Sequence, residues 1–325
     1  EATTSVTESI NTISEIKTYL GCIHGETSDD TMFKGDLSEI RFYKSALVEV
    51  EQGPKNETLN ELMIRMQMSD TFINDHMLPM AAAIWSCPSK IIMEFPARSF
   101  IKFMNNHKLL DFFGRPVWRT VSGGSKNYVS KIIKALGSNA RCNVLISEIR
   151  RSPKGAIIFI KGEKPQFFDK VILATHANDT LELLSDVMDD EYKILSPFSF
   201  QENNVFLHSE TSYMPKRKAA WSAWNYLSNN SEQKELCVTY WMNQLQSLSH
   251  KFPLFVTLNP FSDSLIKMSH RQFKYMHPIF DQKAIDAQKN LNRIQGIYHT
   301  YFCGAWTGNG FHEDGIISAV AIAKA

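Results

Sequence analysis

Apolar positions change their period along the chain, and each change marks an element. From Leu59 the spacing is helical, with Leu62, Met63 and Met66 recurring at three and four residues and Phe72 and Ile73 following. A second helical stretch is predicted after Pro96, through Ser99, Phe100, Phe103 and Met104. A third follows Gly123-Gly124, with Tyr128, Val129, Ile132 and Ile133 on one face. Extended segments are predicted over 116–121, 143–149, 156–160 after the Pro153-Lys154-Gly155 turn, and 170–175. The last is a near-continuous apolar run, as expected of a strand buried on both faces of a sheet.

Residues 204–209, 221–226, 237–243 and 254–258 are aromatic and β-branched and bounded by Pro and Asn, which predicts a second sheet region. Residues 1–55 are the least legible: Thr, Ser, Glu and Asn dominate the first 18, and 25–30 reads as an exposed loop. At the other end, Tyr301-Phe302-Cys303-Gly304-Ala305-Trp306 reads as a short strand, Thr307-Gly308-Asn309-Gly310 as a glycine-rich turn, and the small residues to Ala323 as a helix starting near Asp314. That arrangement brings free N–H groups and a positive helix end up to an anion or cofactor.

Composition narrows the classes. The chain has 325 residues, 43% of them hydrophobic, enough for one large or two moderate domains. Lys plus Arg number 35 against 34 Asp plus Glu, and no basic stripe points to nucleic acid. Apolar runs such as 77–85 are interrupted by Pro79 and fall far short of the roughly 20 residues that span a bilayer. The five cysteines are scattered without a Cys-x-x-Cys pair, so reduced thiols and a cytoplasmic location are expected. His312-Glu313 lacks the second His of a zinc motif, so no metal is expected. The one basic cluster, Met214-Pro-Lys-Arg-Lys218, reads first as a solvated loop, with a phospholipid headgroup and peripheral membrane contact as the alternative.

Four further blocks accompany the C-terminal one in order: Leu-Pro-Met-Ala-Ala-Ala-Ile-Trp-Ser-Cys-Pro at 78–88, Arg-Pro-Val-Trp-Arg-Thr-Val-Ser-Gly-Gly-Ser-Lys-Asn-Tyr-Val at 115–129, Val-Ile-Leu-Ala-Thr-His at 171–176, and Tyr-Trp-Met-Asn at 240–243. Together they resemble the FAD-dependent amine-oxidase-like oxidoreductases, and most of all the bacterial branch encoded beside cyclopropane-fatty-acid synthase. The resemblance runs from about Asn60 to Ala325.

It implies a mixed α/β (α+β) fold: an incomplete FAD/NAD(P)-binding, Rossmann-like domain interleaved with a helical and antiparallel-sheet substrate domain. The implied segments are a mainly helical substrate-side lobe at 1–115, FAD-domain pieces at 116–176 and 296–325, and a substrate domain at 177–295. FAD is the implied cofactor. It would be held by Gly123 and Gly124 in a flavin-proximal turn, by the backbone at Ile146 facing adenine, by Ala174 where the chain leaves the FAD domain, and by Gly304, Ala305, Gly310, Glu313, Asp314 and Gly315. His312 is the candidate catalytic group, because it precedes the helix expected to point at the flavin; His176, His208 and His277 are weaker candidates. The implied reaction is hydride transfer to flavin from a small-molecule substrate, either an apolar lipid or acyl chain or an amine. Oligomeric state is not legible.

The sequence departs from that pattern at three places. Ala305 stands where an acidic residue usually meets the ribityl chain, and Asn203 or Asn204 stands where amine oxidases place a lysine, which counts against amine oxidation. No Gly-x-Gly-x-x-Gly turn occurs anywhere. The chain therefore reads as a fragment of a longer enzyme. Double-bond isomerisation without net redox and a non-catalytic binding module are the alternatives.

Overall fold

The computed structural model describes residues 37–111, 119–228, 236–261 and 269–324. The expected loop at 25–30, the rest of 1–36, and residues 116–118 of the expected extended stretch lie outside them. In chain order the α-helices of five or more residues are α1 (Leu37–Gln52), α2 (Leu59–Arg65), α3 (Leu78–Trp85), α4 (Ser89–Met93), α5 (Ala97–Asn106), α6 (Lys126–Leu136), α7 (Ala177–Leu183), α8 (Asp189–Leu195), α9 (Gln282–Gln288) and α10 (His312–Ala323). The strands are β1 (Ile146–Ser152), β2 (Gly155–Ile160), β3 (Gln166–Phe168), β4 (Val171–Leu173), β5 (Phe200–His208), β6 (Trp224–Ser228), β7 (Leu236–Trp241), β8 (Phe255–Leu258), β9 (Ser269–Pro278) and β10 (Thr300–Phe302).

The chain divides into two compact units, one drawn from 1–124 and 203–275, the other from 125–202 and 276–325. In the first, helix boundaries follow from local chemistry. Thr58 caps α2 reciprocally with Glu61: Glu61 N–H donates to Thr58 Oγ1 (3.2 Å) and Thr58 N–H to Glu61 Oε2 (2.8 Å). A helical turn at Asp70–Phe72 and a π turn at Ile73–Met77 run without a break into α3, so that Pro79 directly follows the π turn, and Ser86 in the left-handed region (φ 54°) ends the helix. The apolar stripes of these helices bury Leu59, Leu62, Met63, Phe100, Ile101 and Met104, and Trp85 packs on Phe95, Phe100 and Phe103.

The sheet of this unit has the order β6-β7-β8-β5-β9, antiparallel between β6 and β7, β7 and β8, and β8 and β5. A polar ribbon crosses its interior. Glu210 N–H donates to His208 Nδ1 (3.1 Å), which places the ring proton on Nε2; that proton goes to Thr257 Oγ1 (2.6 Å), and the Thr257 hydroxyl lies 2.8 Å from Thr239 Oγ1. All three side chains are buried, and each polar atom is satisfied within the ribbon. Burial holds His208 down to about 4, so its ring is neutral.

The second unit holds the antiparallel β1-β2-β3 sheet and the parallel pair β4–β10. Its core gathers Ile149, Leu173, Leu195, Phe198, Ile294, Phe302 and Trp306. The mixed α/β class expected from the sequence is the one that forms. The expectation for 170–175 is corrected: the strand is β4, and only Val171 and Leu173 are buried, while Ile172 is 55% exposed. The described residues supply a layer on one side of β4 and none on the other. β1 also starts later than expected, at Ile146, and runs on through Arg151, whose side chain is buried against two carboxylates: Nε and the backbone N–H donate to the half-buried Asp186, and Nη2 donates to the buried Glu191 Oε2 (2.7 Å). No helix among the described residues is long and apolar enough to cross a membrane.

Candidate functional site

In the second unit the parallel strands β4 and β10 end side by side, and their C-terminal ends set the site. Ligands of open α/β sheets bind beyond such ends. Cys303 N–H donates to Leu173 O (3.0 Å), continuing the ladder one step, and Trp306 Nε1 donates to Thr175 O (3.0 Å). Ala174, Gly304 and Ala305 are thereby brought together. The chain then turns through Gly308 and Gly310 into α10. Gly310 N–H donates to Ala305 O (3.0 Å), and Gln288 Nε2 bridges Trp306 O (2.9 Å) and Gly308 O (2.6 Å).

Most of the glycines here serve the turn's own packing. Gly304 has φ 147°, and a Cβ on it would stand 2.6 Å from Trp306 Nε1. A Cβ on Gly310 (φ 92°) would press on Phe280 at 3.2 Å. At Gly315 a Cβ would reach Ala305 N only at 3.7 Å, so α10 lies close on the turn without strain. Ser318 Oγ pins the same contact from the helix side: it accepts Gly304 N–H (3.1 Å) and donates to Gly315 O (2.7 Å).

The helix begins at His312, two residues earlier than the sequence pattern predicts. His312 is its first residue and is exposed, as is Glu313. Asp314 is half-buried, and its Oδ2 accepts Phe311 N–H (2.9 Å), so this carboxylate caps its own helix. The N–H groups of His312, Glu313 and Asp314 are the first-turn donors left over by helix geometry. A positive helix end is thus present, tempered by two acidic side chains in its first turn.

Two histidines of this unit flank the same strand ends. His176 follows β4 and stacks on Phe200 at 4.3 Å; His277 ends β9, and burial together with the neighbouring His176 pushes its ring below the ordinary value. Asn178 Oδ1, just beyond His176, is buried with no protein donor. Sequence reasoning missed Asn178, since a first-turn Asn reads as ordinary helix start.

The other predicted residues lie elsewhere. Ile146 opens β1 opposite Ile160 and packs partly on the core. Gly123 (φ 76°) and Gly124 (φ 87°) close the first unit just before α6, and a Cβ on Gly124 would meet nothing within 4 Å. In the first unit, Asn203 is buried and its Oδ1 accepts from Asn259 Nδ2 (2.6 Å), while Asn259 Oδ1 accepts Asn204 N–H (3.0 Å). Those two candidates for the lysine position are bound into the sheet.

A fit to FAD is visible at one end only. The first-turn donors and the uncovered apolar residues Ile316 and Ile317 of α10 suit the polar edge and flat face of a flavin ring. No residue of the sequence supplies a Gly-x-Gly-x-x-Gly cradle for its pyrophosphate.

No family model matches the sequence, and no curated protein matches it. Solved structures do match. A CLA-producing fatty acid isomerase from P. acnes superposes with a TM-score of 0.63 at 13% identity, covering 89% of this chain and 74% of that one. Putrescine oxidase bound to putrescine gives 0.61 at 12% identity, covering 92% and 78%. Cyclohexylamine oxidase from Brevibacterium oxydans IH-35A gives 0.55 at 10% identity, covering 91% and 77%. At these identities the likeness establishes the fold.

Proposed function

We propose that this chain is the larger part of an FAD-dependent oxidoreductase of the amine-oxidase-like kind, and that an apolar lipid or acyl chain is its substrate. The observation that carries the reading is the β4–β10 end, where Ala174, Gly304, Ala305 and the start of α10 converge, in a fold shared with two amine oxidases and a fatty acid isomerase. Bound flavin would supply a hydride acceptor. The chain's own part would be to hold the ring end: the first-turn N–H groups of α10 would serve as donors to the ring's electron-rich edge, and the exposed Ile316 and Ile317 would cover a face and exclude water. His312, exposed at the first position of α10, is the group that takes up a proton from substrate.

The fragment reading draws on uncovered surface. Among the described residues α6 has no buried member although Tyr128, Val129, Ile132 and Ile133 share one face, and α10 likewise has none. A dinucleotide-binding strand, turn and helix would cover such faces and add the missing pyrophosphate cradle. A second reading, isomerisation of a double bond without net redox, is favoured by the fatty acid isomerase among the matching structures. Asn203 and Asn204, locked into the sheet, count against a lysine-assisted amine oxidation.

The test is the absorbance spectrum of the purified chain with and without FAD, alone and joined to a dinucleotide-binding segment. The joined protein is expected to retain stoichiometric flavin, and the 325 residues alone to retain little. Absence of co-eluting flavin from both would overturn the reading. Bleaching by lipid without oxygen marks a dehydrogenase or oxidase, and product without bleaching or acceptor consumption marks the isomerase.

A further inference from the structure

The first unit carries a surface that the flavin reading does not use. Residues 211–228 and 236–261 contain Lys216, Arg217, Lys218, His250 and Lys251 but no Asp or Glu, in a chain whose net charge is only +1. Helix α3, which packs on β6 and β7, has no charged residue either.

Ring contacts join the two basic segments into one patch. Lys218 Nζ lies 5.7 Å over Trp221, Trp221 meets Trp241 at 5.3 Å, and Trp241 meets His250 at 5.2 Å. Trp221 Nε1 donates to Pro215 O (2.8 Å) and fixes the first segment. The second is held by Asn243, 1% exposed, whose Nδ2 donates to Ser249 O (2.6 Å) and Phe252 O (2.9 Å) while Oδ1 accepts Leu254 N–H (2.7 Å) and Trp241 Nε1–H (3.2 Å). One side chain thus uses its whole hydrogen-bonding capacity to shape the loop. The loop so fixed holds Leu248 exposed and Phe252 78% exposed, beside His250 and Lys251.

A single exposed apolar residue needs no explanation. Two on a loop held by Asn243, next to Lys251 in the chain and linked through His250, Trp241 and Trp221 to Lys218, with no acid in either segment, match an interface that is apolar below and anionic at its surface. We propose that this patch docks the protein on the surface of an anionic phospholipid bilayer, with Phe252 and Leu248 entering the acyl boundary and Lys216, Lys218 and Lys251 lying at the headgroups. The inference does not depend on the cofactor.

Cosedimentation of the full chain with phosphatidylcholine vesicles, with and without one quarter phosphatidylglycerol, tests it. The protein is expected to partition onto the phosphatidylglycerol vesicles and to be released by salt. Lys216→Gln with Lys251→Gln lowers partitioning about thirtyfold, and Phe252→Ser lowers it about tenfold. Phe252→Leu restores it, which separates lost docking from a disturbed loop. No partitioning, equal partitioning onto both vesicles, or variants that bind like the parent would each overturn the proposal. So would a vesicle-free oligomer that Phe252→Ser dissociates, since the patch would then belong to a second copy of the chain.

Discussion

The carboxylate of Asp314 fills the space that a side chain on Gly308 would need. A Cβ at Gly308 collides with Asp314 Oδ1, while Oδ2 is held by Phe311 N–H at 2.9 Å. The glycine and the acid are one device: the bare backbone of the turn admits the cap that starts α10. Gly308→Ala is expected to push Asp314 off its cap and cost about 1–2 kcal/mol, the size of a lost N-cap. Asp314→Ala should cost a similar amount. Because both changes remove the same contact, their double mutant should fall well short of the sum in urea unfolding, whereas full additivity would separate the two residues.

Arg151 is a cation enclosed by two carboxylates. Its side chain and that of Glu191 are both at 0% exposure, and Asp186 completes the set. Arg151→Met leaves a buried anion and is expected to destabilise by about 3–5 kcal/mol, while adding Glu191→Leu recovers most of the loss. Equal urea midpoints for the single and double variants would contradict this.

His208 gives the first unit a pH dependence whose sign follows from its burial. The folded ring titrates at about 4, below the ordinary 6.5, so the unfolded chain takes up the proton first. Its stabilisation is complete above pH 6.5 and is lost as pH falls towards 4, by on the order of 3 kcal/mol in all. Carboxylates titrate in the same range, so the measurement is the difference between the parent and His208→Gln. That difference should shrink across this window and stay flat above it.

The thiols divide by burial. Cys87 and Cys237 are buried and pushed up to about 12, and Cys303, also buried, is raised by the same cause, while Cys142 is exposed. In a chain carrying Cys22→Ser, a thiol reagent at mildly alkaline pH is expected to modify Cys142 at once and the other three only on unfolding. Rapid labelling of Cys237 would mean that the β6–β7 pair opens.

These features differ in how legible the sequence made them. The turn through Gly304, Gly308 and Gly310 could be read directly, because the backbone there takes positive φ or meets a neighbouring side chain, and few residues other than glycine allow that. The helices from Leu59 and after Pro96 were equally clear, since their apolar spacing and caps are local. Arg151 was not, because an arginine before a Pro-Lys-Gly turn reads as surface until its partners, 35 and 40 residues on, are in place. The Val-Ile-Leu run of β4 looks the same whether one face is covered or two, so the exposure of Ile172 was invisible. His208, Thr239 and Thr257 alternate like the polar face of a half-exposed strand, and only the sheet order turns them into an internal ribbon. At the candidate site the convergence of Ala174, Gly304 and Ala305 could be anticipated, whereas the orphaned Asn178 oxygen depends on what surrounds it.

The arrangement around Asn243 also bears on how this protein can change over time. Besides one contact from Trp241, Asn243 binds the loop only through main-chain atoms, the carbonyls of Ser249 and Phe252 and the amide of Leu254. Main-chain bonds are indifferent to what side chains the tip displays. Positions 248, 251 and 252 can therefore be redesigned at little cost to the sheet, so that what the loop tip binds can change while its shape is kept, whereas Asn243 itself admits no substitute with the same pair of donors and acceptors at that reach.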